Sequence, residues 1–409
     1  MHPMVKSALR RAWRDRSTVQ FGMTPAHALT VGPMDTATGH FLELLNGTRG
    51  LPLLRQEGHR MDLPEGHVDR LVRGLARAGL LDDARGGGEA ASALREKREV
   101  MDRLAPDLAS LSLVARGPGE AIGRLAARRE LRVRVRGAGR VGAVLAALLS
   151  GAGVGEVEVL DGGRVEPWDV APGGLPAEAV GERRDAAARR AVRRAAPDRP
   201  VRGGPGPEPS GAGDPGFALV VLAPRDDLAV HAPDPSASAG LVESGTPHLY
   251  AGVVEGTGVV GPLVLPGATG CAGCLDRDRG EGDAAWPRLV AQWRSGRQRA
   301  VRPCDLALAT TVAALAAAHA LAFLDGGLPS SADARWEVSV PGLDWRSRPV
   351  RPHPACPCGA AKEGSREGVG KHTSEEAGPR GTMAVQRPSS TPCRQADAER
   401  LAGTWRAHV

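Results

Sequence analysis

Aromatic side chains are scarce in this chain: one tyrosine, four phenylalanines and seven tryptophans among 409 residues, 3% in all. The core must be built mainly from Ala, Val and Leu, which the 42% hydrophobic content allows. An uninterrupted apolar segment of membrane-spanning length is not expected anywhere, so no membrane partner is expected. The opening residues, MHPMVKSALRRAWRDR, lack the apolar region of a secretory signal. A soluble cytoplasmic setting is therefore expected, in which the six cysteines are not expected to form disulfides. Acidic residues fall short of basic ones by six, a mild, arginine-heavy excess. It reads as solvated helix surface rather than as a nucleic-acid footprint.

What is present is concentrated in residues 131–165, LRVRVRGAGRVGAVLAALLSGAGVGEVEVLDGGRV. Apolar and basic residues alternate from Leu131 to Val135, the period of a strand. The chain then turns through Gly137, Gly139 and Gly142 into a helix over Val141–Leu149, and a second strand, Val157–Leu160, ends on Asp161. Gly137 suits a tight strand-to-helix turn, and Gly139 leaves room for a phosphate at the helix start. Gly142 permits close helix–strand packing, and Asp161 stands where a ribose hydroxyl is held. Together these features predict a nucleotide-binding-type βαβ unit.

The run GAGVGEVEVLDGGRVEPWD resembles the ThiF/MoeB family, relatives of the ubiquitin-activating enzymes, and AVGERRDAAARRAVRRAAPDRP is similar to its next helix. The resemblance covers roughly residues 131–358. It implies a doubly wound α/β ThiF-type, Rossmann-like sheet that uses ATP and magnesium to adenylate a C-terminal carboxylate on a peptide or ubiquitin-like carrier.

Residues 1–84 read as a separate winged-helix-like domain. Strands are expected at TVQFG (18–22) and HALTVG (27–32), a helix capped by Asp35 runs through Leu45, and two further helices cover LPLLRQEGHRM and HVDRLVRGLARAGLL. The arrangement suits a DNA-binding regulator, and it also resembles the leader-peptide recognition domain joined to ThiF-like proteins of thiazole/oxazole-modified peptide biosynthesis. There a peptide adds as a strand beside the sheet. Residues 85–107 read as linker and helix, followed by a strand SLVAR (112–116) and a helix EAIGRLAARRE, and the ThiF-like domain spans 108–358. Residues 202–216 are a low-complexity loop and 359–409 a disordered tail. The helix Asp305–Leu324 is so apolar that it must pack against other helices or a partner chain, and a homodimer is expected to cover it.

Cysteines are paired locally: Cys271 with Cys274 as CxxC, Cys356 with Cys358 as CxC. Two close thiolate pairs suit a tetrahedral structural zinc, with free or redox cysteines the alternative. The resemblance implies the same, although its second pair is ordinarily CxxC. It also places Asp226-Asp227 where the family holds magnesium and the adenylate, giving Asp226 the catalytic role; a cap for the helix starting at Leu228 is the other reading. Arg184 or Arg183 matches a family lysine on the nucleotide. Cys304 lies near a family crossover cysteine and, at a helix start, would have a lowered pKa; a buried structural thiol is the alternative. Trp286, Trp293, Trp336 and Trp345 read as core or interface anchors.

Two departures stand against ATP use. Asp169 replaces an Asn, and Pro172 replaces the arginine that grips phosphate. Losing such a charge-assisted contact costs about 2–3 kcal/mol of binding. WDVAPGGLP, GCAGCLDRDR and LALATTVAALAAAHALAFLDG resemble the branch in which the ThiF fold binds a leader peptide for a cyclodehydratase partner that itself consumes ATP. Two functions therefore stand open: a ThiF-type adenylyltransferase, and a non-catalytic leader-peptide-binding scaffold.

Overall fold

Four short strands open the chain: Pro3–Val5 (β1), Arg11–Trp13 (β2), Val19–Phe21 (β3) and Leu29–Gly32 (β4). The alternation at 18–22 and 27–32 places β3 and β4; β1 and β2 are three residues each and carry no alternating pattern to reveal them. In this computed structural model, residues 1–198, 216–225, 227–296, 301–363 and 384–386 are described. Helices follow at Thr36–Leu44 (α1), Leu51–Arg60 (α2) and His67–Arg77 (α3). Asp35 caps α1 as expected, its carboxylate accepting the Thr38 N–H at 2.7 Å. Strand Leu81–Asp83 (β5) then returns antiparallel to β1. In α3, Val68, Leu71, Val72 and Leu75 are buried at i, i+3, i+4 and i+7, against Phe21, Phe41 and Leu54. These elements belong to one unit, residues 1–86 with 112–120 and 375–409. Within it a tail strand, Ala384–Gln386, extends the sheet beyond β4.

The second unit comprises residues 87–111 and 121–374. The helices here are Gly88–Glu96 (α4), Arg98–Val114 (α5) and Glu120–Arg128 (α6), of which Ser112–Val114 of α5 and Glu120 of α6 are grouped with the first unit. The expected strand SLVAR is not formed, because α5 runs on through Val114. Val100, Leu104 and Leu111 are buried at helical spacing, and the helix continues through Pro106 despite the backbone donor that proline lacks. One turn later the Ser110 hydroxyl donates to the Pro106 carbonyl oxygen at 3.0 Å.

Next come Arg132–Arg136 (β6), Arg140–Gly151 (α7), Glu156–Leu160 (β7), Arg184–Ala195 (α8) and Leu219–Leu222 (β8). Short helices Asp227–His231 (α9) and Ala239–Glu243 (α10) lead to His248–Val254 (β9) and Thr257–Val264 (β10). The β9–β10 turn is Glu255-Gly256, both at positive φ (47° and 73°), the two-residue connection whose twist matches paired strands. After Ala272–Gly282 (α11), Trp286–Ser295 (α12) and Leu306–Leu324 (α13), strands Ala334–Ser339 (β11) and Asp344–Pro349 (β12) complete a seven-stranded sheet. Its order is β12-β11-β10-β9-β8-β6-β7, parallel from β7 to β9 and antiparallel beyond.

Inward residues of β6, β7 and β8 (Val133, Val135, Val157, Val159, Leu219 and Val221) share one apolar core with α7, α8 and α13. On the other face Val220 packs with Phe217 and Leu241. Both faces of the sheet are thus covered, the arrangement of a doubly wound α/β fold. By length (19 residues) and hydropathy (1.9), α13 alone among the described residues could cross a membrane, contrary to expectation. Its Leu308, Ala309, Val312, Ala313, Ala316, Ala317 and Ala320 are instead buried in the core. Of the expected loose tail, Ala360–Glu363 forms a short helix and Ala384–Gln386 a strand; the rest, like most of loop 202–216, lies outside the described residues.

Candidate functional site

The glycine-rich turn joins β6 to the start of α7, beside the carboxyl ends of the parallel strands where ligands bind in such sheets. Gly137 adopts φ +105°, and a Cβ there would lie 2.0 Å from the Ala223 carbonyl oxygen at the end of β8. A Cβ at Gly142 would lie 2.0 Å from the Gly137 oxygen. Both positions are closed to any side chain by backbone alone. At Gly139 the neighbour is different: a Cβ would lie 2.7 Å from Cγ of Arg225. The Arg225 side chain therefore lies over the part of the loop where a phosphate would approach.

Arg225 is held there by carboxylates. Its Nε donates to Asp169 at 2.8 Å and its terminal nitrogen bonds Glu166. Asp169, 2% exposed, also accepts from Nε of Arg184 at 3.1 Å and from the Glu166 N–H at 2.9 Å. Arg184, itself buried, reaches on to Asp161 at 2.6 Å. Asp161 further accepts the Ala138 N–H at 2.8 Å and the Gly163 N–H at 2.9 Å. The result is a continuous chain, Asp161–Arg184–Asp169–Arg225–Glu166, in which each cation is hydrogen-bonded to two anions and Arg184 also comes within 3.9 Å of Glu166. The hydrogen bond from Arg225 holds the Glu166 carboxyl below its ordinary pKa.

The structure thus brings Gly137, Gly139, Gly142, Asp161 and Arg184 together, and it commits Arg184 to carboxylates of the chain itself. Arg183 turns away to Asp185 at 3.1 Å. Pro172 is exposed in the preceding loop and offers no donor. Asp226 lies outside the described residues; its neighbour Asp227 accepts the Leu228 N–H at 3.0 Å and faces Arg302 at 3.7 Å.

Beside the network is a cavity of about 570 Å³ bordered by Gly139, Arg140, Trp168, Arg225, Arg302 and Cys304. Arg140 donates to the Cys304 carbonyl at 2.8 Å, while its Nε is buried without a partner among the described residues. Burial raises the Cys304 thiol pKa, with Arg140 opposing, which corrects the lowering expected from its place before α13. Asp305 caps that helix, accepting the Leu308 N–H at 2.9 Å. Sequence reasoning missed Arg140, Glu166, Arg225 and Arg302; the one available signal was Arg225, a cation directly after a buried parallel strand.

A second cluster has three buried cysteines and a half-buried one. Sulfurs of Cys271 and Cys274 are 3.8 Å apart, Cys271 and Cys356 3.6 Å, and Cys274 and Cys358 3.5 Å. All four lie within 4.8 Å of one another, although two come from the start of α11 and two from beyond β12. Thiolates about 2.3 Å from a tetrahedral metal stand about 3.8 Å apart, so the set can hold a metal ion. The His353 N–H donates to Cys274 at 3.3 Å, and bonds from Cys271 and this amide hold the Cys274 thiol well below its ordinary pKa. The CxC spacing brings Cys358 into the cluster.

Comparison with known proteins places the ThiF family profile over residues 121–358. Among solved structures, E. coli MccB matches with 15% identity and a TM-score of 0.62, covering 93% of this chain and 100% of its own. MccB solved with ATP matches at 16% identity and 0.62, covering 88% and 99%. PaaA matches at 15% and 0.61, covering 85% and 100%. The mixed α/β fold is shared with all three. No curated protein matches the sequence.

Proposed function

The chain belongs to the ThiF family, and we propose that within it this protein is a peptide-binding scaffold whose nucleotide pocket is held shut by its own side chains. One observation carries the reading: Asp169 engages both Arg184 and Arg225, and the Arg225 side chain lies over Gly139. In the family pattern that position is a neutral Asn, which would hold the two arginines less firmly, Arg184 by Asp161 and Arg225 by Glu166. A carboxylate there neutralises them and draws Arg225 across Gly139. With Pro172 in place of the family arginine, Arg184 and Arg225 are both committed to carboxylates of the chain, and Arg140 and Arg302 are the other cations bordering the cavity.

The N-terminal unit, read as a winged helix, would take an extended leader peptide along its sheet, and a cyclodehydratase partner would perform the chemistry. MccB has been solved with the peptide MccA and with N-formylated MccA, which favours a peptide ligand here. A zinc on Cys271, Cys274, Cys356 and Cys358 would tie the start of α11 to the segment after β12 and do no catalysis, since all four positions are filled by protein. The exposed Leu306, Ala307, Thr310, Thr311 and Ala314 of α13 are the proposed face of a homodimer, which light scattering tests against 42.5 kDa for one chain.

The second reading, adenylation of a peptide or ubiquitin-like carrier, is favoured by the intact glycine turn and the 570 Å³ cavity. ATP would supply the activating adenylyl group. In that case Gly137, Gly139, Gly142, Asp161 and Arg184 would hold the nucleotide and Asp226 the magnesium, after Arg225 had left Gly139. ATP–pyrophosphate exchange by the purified protein, with leader peptides supplied, separates the two. The scaffold predicts none above background and no calorimetric heat with ATP-Mg; exchange that requires Asp226 would establish the enzyme.

A further inference from the structure

The outer edge of β4 is already occupied. Ala384, Val385 and Gln386 lie antiparallel to it, paired with Gly32, Val31 and Thr30 respectively. The order of this sheet is tail strand-β4-β3-β2, so among the described residues the tail adds itself to one edge and β2 forms the other. All three residues of β2 are exposed, and it presents as many residues as the tail pairs with on β4. The preference is for β4.

Two features mark that edge as suited to extended chain. Val31 is 1% exposed and packs inward with Val19, so β4 is anchored from below while its outer backbone groups are available for pairing. A groove of about 470 Å³ borders the start of β4, between Leu29, His27, Arg77 and Ala78 at the end of α3, and Ala115. A strand on this edge has somewhere to continue. The sequence of the tail fits such pairing: TMAVQR (382–387) holds no Gly or Pro, and Pro388 ends the stretch because it cannot donate to a ladder.

We propose that Ala384–Gln386 is a built-in occupant of the β4 edge, which any peptide pairing there must displace. The inference rests on the reading of this unit as a peptide-binding domain and adds a regulator to it. Backbone pairing is sequence-tolerant, so a segment carried on the same chain competes at a high effective concentration with a free peptide offering the same hydrogen bonds. Binding of a peptide would then require it to present more than a bare strand, for example side chains that fill the adjoining groove. The tail would set a threshold that excludes short extended segments in general.

Hydrogen exchange at Thr30 and Gly32, the β4 residues that face the tail, tests this in the full chain, in Gln386→Pro and in a chain ending at residue 363. Proline removes a donor and breaks the pairing, whereas Ser389→Pro, outside the strand, is the control. Exchange at these two amides should quicken at least tenfold in Gln386→Pro and in the shortened chain, and stay unchanged in Ser389→Pro. A synthetic peptide of residues 380–390, RGTMAVQRPSS, should restore protection to both altered chains and bind the full chain at least tenfold more weakly. Equal exchange in all four proteins overturns the inference and leaves the peptide-binding reading standing. Faster exchange that the peptide cannot reverse overturns both, because the freed edge would then not accept a strand in trans.

Discussion

Replacing Asp169 by Asn preserves side-chain shape and removes one buried negative charge. The carboxylate accepts from Arg184 Nε at 3.1 Å, Arg225 Nε at 2.8 Å and the Glu166 N–H at 2.9 Å. Removing one partner of a buried ion pair costs about 3–5 kcal/mol when the other charge is stranded. Here Arg184 keeps Asp161 at 2.6 Å and Arg225 keeps Glu166, so neither cation is left alone. The expected loss is therefore lower, about 2–3 kcal/mol, the worth of hydrogen bonds to a charged group. At about 2–4 °C per kcal/mol for a unit of this size, the melting midpoint should fall by roughly 4–12 °C. Scanning calorimetry at one protein concentration reads the shift. A cycle with Arg225→Ala should give a coupling of about 0.5–3 kcal/mol, since the two groups touch. An unchanged midpoint together with additive single effects would refute the network as the element that holds Arg225 over Gly139.

The cysteine cluster should carry about one zinc per chain by elemental analysis, and Cys274→Ser, which removes one of four ligands, should abolish it and lower the melting midpoint. His248 is wholly buried, with Nδ1 on the Thr246 carbonyl oxygen at 3.1 Å, and burial pushes its pKa down to about 4. Its unfolded form binds a proton first, so stability should fall as pH drops from about 6.5 towards 4, by about 3 kcal/mol at most. His248→Leu should flatten that slope in denaturant titrations, and parallel slopes for the two proteins would count against it.

The βαβ unit was legible because its signals are local and redundant: alternation in Arg132–Arg136, glycines at the turn, an apolar helix and a terminal Asp161. The cysteine cluster was legible from spacing, since two close pairs need only the fold to bring them together. α5 was misread at its end because Ser112–Val114 has the composition of a short strand and Pro106 suggests a break; burial of Leu104 and Leu111 on one helical face decided otherwise. The ion network could not be read from sequence. Glu166, Asp169, Arg184 and Arg225 lie on segments as much as 59 residues apart, and only the fold shows that one carboxylate serves two arginines. Of the tryptophans read as core or interface anchors, Trp286 is in the core, whereas Trp293 and Trp345 are about half exposed.

The three glycines of the turn can be separated by what each one avoids. At Gly137 and Gly142 a Cβ would meet a backbone oxygen at 2.0 Å, so their absence of a side chain is a packing requirement that holds with or without a ligand. Gly139 faces only the Arg225 side chain, which can move. Gly142→Ala gains about 1 kcal/mol of helix propensity but must displace the Gly137 carbonyl, and overpacking of a tight core typically costs about 1–3 kcal/mol or more. It should destabilise on balance. Gly139→Ala should leave stability within about 0.5 kcal/mol of the parent, because a partly exposed arginine can give way. Thermal melts of the two variants side by side check this, and equal destabilisation would show that Arg225 is fixed as firmly as backbone. The distinction bears on function as well: two of the three glycines follow from packing β6 against α7 and β8, so a glycine-rich turn of this kind reports the fold. Only the space above Gly139 speaks to a phosphate, and in this protein an arginine bound to Asp169 and Glu166 fills it.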